Sequence, residues 1–132
     1  MKKAVFLPMI SNEKLRDMSD RLSGGRYCFH DSLSDHLHVM LINLPPYQNY
    51  PRHKHTNTCE FYVIIEGEMV VDHWDKHGNR TIRHLSLTEE EDFRILKIGV
   101  NEWHAVTAGP DGAKFVEFRS GPFDPDSTLF ER

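Results

Sequence analysis

The chain has 132 residues, of which 39% are hydrophobic and 27% charged, the size and composition of one globular domain. A formal charge of −4 without a basic cluster argues against nucleic acid or an anionic membrane as a partner. Cys28 and Cys59 are too few for a disulfide framework, and the apolar stretch before Pro8 is too short for a signal peptide. We therefore expect a cytoplasmic protein. Nine histidines are the unusual count.

The first predicted element is a short amphipathic helix from Ser11 to Leu22. Ser11 is a suitable N-cap, and Gly24-Gly25 is a suitable end. We expect this helix to lie on the outside of the domain through one apolar stripe: Leu15, Met18 and Leu22.

The rest of the chain predicts about eight short strands separated by turn residues, which is typical of an all-β sandwich or barrel. We expect a tight turn at Gly67, hairpin loops at 75–79 and 109–112, and a coil tail from residue 121. The predicted strands are 36–44, 47–55, 61–65, 69–74, 81–87, 93–98, 103–107 and 114–118.

A candidate metal site begins with His53 and His55, which point to the same side of an extended chain. Glu60 opens the next predicted strand and can supply a carboxylate, and His104 is the obvious further histidine. Imidazole and carboxylate together suit a divalent transition metal. The competing explanation is a half-exposed polar strand face, as in His36-x-His38, which has no carboxylate at the right spacing.

Strand alternation predicts which neighbours share the interior with Glu60 and His104. Tyr62 is the nearest candidate for a catalytic proton donor, the alternative being that it lines the pocket and anchors its hydroxyl. For His38 the alternative is a satisfied or exposed histidine without a role in the site. The residues expected to line the pocket or support the ligands are His38, Met40, Tyr62, Ile64 and Val106.

The pattern His53-x-His55-x4-Glu60-x6-Gly67, followed by His104, resembles the two motifs of the cupin superfamily. Tyr47 and Asn101 stand where those motifs have glycine. The resemblance implies a single-domain jelly-roll β-barrel whose metal is held by three histidines and one glutamate. It divides the chain into a helical extension (about 1–25), a barrel (about 36–120) and a tail (121–132).

A narrower resemblance, to the WbuC-type cupin-fold metalloproteins, covers most of the chain. It is carried by Arg26-x3-His30, Ser34-Asp35-x4-Met40, Tyr50-Pro51-x-His53 and Gly121-Pro-Phe-Asp-Pro. Members of that family are found among bacterial O-antigen and polysaccharide gene clusters. The resemblance implies metal binding and a sugar or nucleotide-sugar context, without a substrate.

Three functions are compatible with such a site. The first is isomerase, epimerase or hydrolase chemistry on a small polar metabolite, assisted by the metal. The second is a non-haem iron dioxygenase, and the third is a binding module without catalysis. Ligand type does not choose among Fe, Mn, Ni, Co and Zn, and purified protein can carry zinc or nickel from the medium. We expect a small-molecule ligand, and an edge strand and the helix are compatible with a homodimer.

Overall fold

The computed structural model describes residues 10–21 and 25–131. Its α-helix, α1, spans Asn12–Arg21. The predicted N-cap is confirmed, because the Ser11 hydroxyl accepts a hydrogen bond from the Lys14 amide at 3.0 Å. Leu15 and Met18 are half-buried as expected, whereas Leu22 and Gly24 lie outside the described residues. None of the described helices is long and apolar enough to span a membrane.

Residues 25–131 contain eight strands, and the strand pairs are antiparallel, so the all-β jelly-roll prediction is confirmed. The strands are β1 (Arg26–Cys28), β2 (Leu37–Leu44), β3 (Asn49–His55), β4 (Glu60–Trp74), β5 (Arg80–Ser86), β6 (Ile95–Ile98), β7 (His104–Ser120) and β8 (Thr128–Phe130). One path through the sheet has the order β1-β2-β7-β3-β8, while β4 pairs with β5, β6 and β7.

Strands β4 and β7 form one long pair, which corrects two predicted turns. Gly67 was expected to turn the chain between two strands, but it lies inside β4 at an irregularity with φ 75°. The segment 109–112 was expected to be a hairpin loop, but it lies within β7, between residues that pair with Gly67 and Met69. Both glycine segments therefore relax the register of a continuous pair, as β-bulges do.

The loop 75–79 is a hairpin turn as predicted, because β4 and β5 pair across it. Asp75 accepts hydrogen bonds from the backbone amides of His77 and Asn79, at 2.8 and 3.0 Å. Gly78 adopts φ 81°, which glycine supplies without strain. Tyr47 and Asn101, which replace motif glycines, also take positive φ, at 62° and 63°. Both positions therefore adopt a conformation that favours glycine, although neither residue is glycine.

The C-terminal tail is not the coil that the sequence predicts. A short 3-10 helix, Pro125–Ser127, leads into β8, which pairs with the end of β3. In that pairing Phe130 lies opposite His53 and Thr128 lies opposite His55. The tail is thus part of the wall beside the two histidines.

The apolar core lies against the same strands. It is built mainly from inward residues of β4 and β7, and its fully buried members include Ile64, Met69, Val71, Leu85 and Ile98. Because protein cores are closely packed, the core holds the polar side chains next to it in fixed positions.

Candidate metal centre

Strands β3, β4 and β7 bring the four predicted ligands together. His53 and His55 lie two positions apart on the buried face of β3. Glu60 is the first residue of β4, and His104 is the first residue of β7. His53 lies directly opposite His104 in the β3–β7 pair. One nitrogen or oxygen atom from each residue lies within 4.8 Å of the others, and all four side chains are buried.

Each imidazole is oriented by a hydrogen bond at Nδ1. Nδ1 of His53 donates to the Pro51 carbonyl at 2.8 Å, and Nδ1 of His104 donates to the Glu102 carbonyl at 3.0 Å. Nδ1 of His55 lies 2.9 Å from the hydroxyl of Thr128. Since a carbonyl oxygen only accepts, the neutral rings of His53 and His104 present an unprotonated Nε2.

Two of the imidazoles point Nε2 at one carboxylate oxygen. Oε1 of Glu60 lies 2.6 Å from Nε2 of His55 and 3.2 Å from Nε2 of His104. Among the described residues, neither this Oε1 nor Nε2 of His104 has a hydrogen-bond partner, although both atoms are buried. Lone pairs that face one another in a buried site repel unless a cation lies between them. The donor set therefore fits a divalent metal ion.

The electrostatics of the site favour metal-binding protonation states. Burial, followed by the electrostatic interaction with the imidazole of His104, lowers the pKa of His53 to about 4, so the His53 ring is neutral at pH 7. Burial would raise the pKa of Glu60, but interactions with His104 and His55 hold it well below its usual range. Glu60 is thus an anion that lies in the same cluster as the neutral ring of His53.

Tyr62 and Glu117 both contact Glu60 from the next inward positions of β4 and β7. The Tyr62 hydroxyl donates to Oε2 of Glu60 at 3.4 Å, and burial raises its pKa well above the usual value. Burial, with the charge of Glu60, likewise raises the pKa of the Glu117 carboxyl, which hydrogen-bonds to Glu60. Both groups keep their protons, so each supports Glu60 as a donor.

The sequence reasoning missed Glu117. A signal was present, because Phe115, Glu117 and Arg119 alternate in phase on a strand whose apolar residues face the core. A carboxyl on that face indicates a buried polar partner. Thr128 was missed for another reason, since its contact with His55 depends on the unexpected strand β8.

A cavity of about 490 Å³ opens beside three of the four ligands. Its wall includes His53, His55 and Glu60, and of the predicted lining residues it includes Tyr62 and Val106. Aromatic and aliphatic side chains supply much of the remaining surface, among them Ile42, Tyr50, Phe115, Phe123 and Phe130. The volume suits a small metabolite.

The structure places the other predicted lining residues away from this wall. Ile64 is packed in the apolar core, and Met40 is buried with its sulfur 3.8 Å from Nη1 of Arg26. His38 is 1% exposed, stacks on the ring of His30 at 4.0 Å and places Nε2 3.1 Å from the Leu33 carbonyl. Its partners are therefore those of a satisfied buried histidine.

The turn before β7 positions His104. The Glu102 carboxylate accepts a hydrogen bond from the Gly99 amide and lies 3.3 Å from Nε2 of His73. The Asn101 amide donates to the His55 carbonyl at 2.8 Å, which ties this turn to β3. The turn thus links two of the strands that carry ligands.

Comparison with solved structures shows the cupin fold. BH2720 from Bacillus halodurans is 19% identical with a TM-score of 0.68, over 90% of this chain and 85% of that one. A point variant of oxalate decarboxylase from B. subtilis is 22% identical with a TM-score of 0.66. That match covers 83% of this chain but 29% of the decarboxylase. KdgF from Halomonas sp. is 15% identical with a TM-score of 0.59, over 76% and 80% of the two chains.

No curated protein sequence matches the chain. A family profile does match, over residues 18–87, a region that runs from α1 through β5 and includes His53, His55 and Glu60. The match covers just over half of the 132 residues. The chain is therefore a cupin-fold protein that belongs to the family described as Domain of unknown function (DUF6016).

Proposed function

We propose that this protein binds one divalent transition metal through Nε2 of His53, His55 and His104 and the carboxylate of Glu60. The carrying observation is the buried Oε1 of Glu60, which faces imidazole nitrogens and has no hydrogen-bond partner among the described residues. When bound, the metal supplies Lewis acidity for polarising an oxygen of a ligand.

We further propose that the ligand is a small polar metabolite, such as a sugar or nucleotide-sugar intermediate of bacterial polysaccharide synthesis. The resemblance to WbuC-type proteins supports this context, and Phe123 and Pro125 of its Gly121-Pro-Phe-Asp-Pro segment lie in the cavity wall. The reaction class is isomerisation, epimerisation or hydrolysis. In it, Tyr62 and Glu117 hold Glu60 in place, and the apolar wall excludes water around the bound molecule.

A binding module without catalysis is the second candidate. One observation favours it: Tyr62 and Glu117, the two proton-bearing side chains next to Glu60, both hydrogen-bond to Glu60. The two groups therefore hold Glu60 in position, and their protons point to Glu60 instead of to a molecule in the cavity.

Metal analysis tests the site. Protein from unsupplemented medium is compared as wild type, His55→Ala, Glu60→Ala and the control His36→Ala, an exposed histidine just before β2. We expect about one metal ion per chain in the wild type and the control, and a sharp loss in the other two. Full occupancy in Glu60→Ala would remove this residue from the proposed ligand set.

Three further measurements separate the functions. Metal-dependent turnover of a nucleotide-sugar by the wild type, lost in Glu60→Ala, supports the enzyme. Metal-dependent ligand binding without turnover supports the module. Oxygen uptake by the iron-loaded protein would instead support dioxygenase chemistry.

A further inference from the structure

Two arginines in the cavity wall have no part in the proposed metal site. Arg26 enters the wall from β1, and Arg119 enters it from the end of β7. We propose that Arg26 and Arg119 together bind an anionic group, a carboxylate or a phosphate, on the molecule that occupies the cavity. This inference deepens the proposed function and depends on it in one respect, namely that the rest of that molecule reaches the metal.

The strand register aims Arg119 toward the site. Arg119 lies directly opposite Glu60 in the β4–β7 pair, and directly opposite residues of an antiparallel pair share a face. Glu60 is the buried ligand of the proposed centre. Arg119 therefore belongs to the inward face and lies one strand away from the metal position.

The register of β1 brings Arg26 to the same cavity. Arg26 lies opposite Ile42 of β2, which in turn lies opposite Phe115 of β7, and all three line the cavity. Arg26 and Arg119 both counteract the burial-driven rise in the pKa of Glu117. The two positive charges are therefore close to one carboxyl, on the same side of the cavity.

No carboxylate of the described residues 10–21 and 25–131 forms an ion pair with either guanidinium. Nη1 of Arg26 contacts the Met40 sulfur at 3.8 Å, and the Arg119 guanidinium lies 5.4 Å from the centre of the Phe123 ring. Within the part of the chain that the structure describes, neither arginine makes an ion pair, and the Glu117 carboxyl bonds to Glu60. A thioether and a ring face leave most guanidinium donors available for an oxyanion.

The chemical class of ligand follows from the wall as a whole. Positive charge stands at Arg26 and Arg119, while the aromatic rings of Tyr50 and Phe130 lie beside His53. A cavity of about 490 Å³ accommodates a monosaccharide-sized body. The ligand is therefore a sugar-sized acid or phosphate ester, with its anion at the arginines.

Calorimetric titration of the metal-loaded protein tests the inference with three probes: D-glucuronate, D-glucose 6-phosphate and D-glucose. We expect at least one anionic probe to bind roughly tenfold or more tightly than glucose, because each arginine adds charge-assisted hydrogen bonds. Arg119→Gln and Arg26→Gln should each remove about tenfold of that affinity and leave glucose binding unchanged. The preferred anionic probe identifies carboxylate or phosphate as the recognised group.

Arg83→Gln is the matched control. This substitution removes the same charge and a similar contact with a ring, because the Arg83 guanidinium lies 5.8 Å from the centre of the Phe93 ring. Arg83 lies on β5, outside the cavity wall. Equal binding of all three probes, or equal losses in Arg83→Gln and Arg119→Gln, would overturn the inference. Metal content is measured for every variant, so that loss of the metal site is distinguished from loss of anion binding. Arg26 is exposed, which keeps one variant informative if Arg119→Gln does not fold.

Discussion

The hydroxyl of Thr128 lies 2.9 Å from Nδ1 of His55, although the two residues are 73 positions apart in the chain. Strand β8 creates this contact by pairing with the end of β3. Thr128 therefore helps to orient the ring of His55, a proposed metal ligand.

Thr128→Val should therefore weaken metal binding without removing a ligand. We expect an affinity loss of roughly tenfold or more, which is typical when the partner of a ligating histidine is removed. Competition with a chelator of known affinity measures it. Thr81→Val, at a half-buried threonine of β5, is the control and should keep the wild-type affinity. Equal affinity in both variants would show that His55 is oriented without Thr128.

The turn that carries His104 makes a second prediction. Glu102→Ala removes the acceptor for the Gly99 amide and the partner of His73, so metal affinity should fall several-fold although Glu102 is not a ligand. Glu102→Gln keeps an acceptor oxygen and should retain most of the affinity. The same chelator competition compares the two, and equally large losses would mean that the carboxylate charge matters more than the hydrogen bond.

Gly112 and Gly78 test the backbone of the long strand pair. Both have positive φ, at 79° and 81°, but a side chain at Gly112 would meet the Leu44 carbonyl oxygen at 2.7 Å, whereas Gly78 faces open space. We expect Gly78→Ala to lower the free energy of unfolding by about 1 kcal/mol and Gly112→Ala by about 2–3 kcal/mol. Urea unfolding measures both, and equal losses would show that the close approach at Gly112 carries no cost.

The stability of the metal-free protein should fall in mild acid, in part through His38. Burial, followed by the charges of His30 and Arg119, lowers the pKa of His38 below its ordinary value of 6.5. Below about pH 6.5 the unfolded chain therefore binds a proton at His38 that the folded chain does not bind. The contribution of neutral His38 to the free energy of unfolding is fully present above about pH 6.5 and is lost as the pH falls toward the folded-state pKa. The slope from one such group is at most about 1.4 kcal/mol per pH unit.

Urea unfolding between pH 5 and 7.5 in the presence of a chelator measures this slope. His38→Gln should flatten it, while His36→Gln, at the exposed neighbouring histidine, should leave it unchanged. An unaltered slope in His38→Gln would assign the pH dependence to other buried groups.

Several features of the fold could be predicted from the sequence because their causes are local. Alternation placed His53 and His55 on one face, Ser11 capped the helix, and Asp75 and Gly78 formed the hairpin turn, because each depends on residues a few positions apart. The resemblance of His53, His55, Glu60 and His104 to known motifs added the ligand set, and the structure brings those four together.

Tertiary structure decided what depends on register between distant strands. The local sequence predicts a turn at Gly67, yet Gly67 pairs with Ala113 and lies inside β4. The hydrogen bonds and packing of the long β4–β7 pair stabilise the strand more than one glycine destabilises it. The same pairings place Glu117 beside Glu60, Arg119 opposite Glu60 and Thr128 on His55. Alternation along β7 indicates that Glu117 faces inward, but no local pattern identifies the partner in any of these contacts, because a strand residue acquires its neighbours only when the sheet forms.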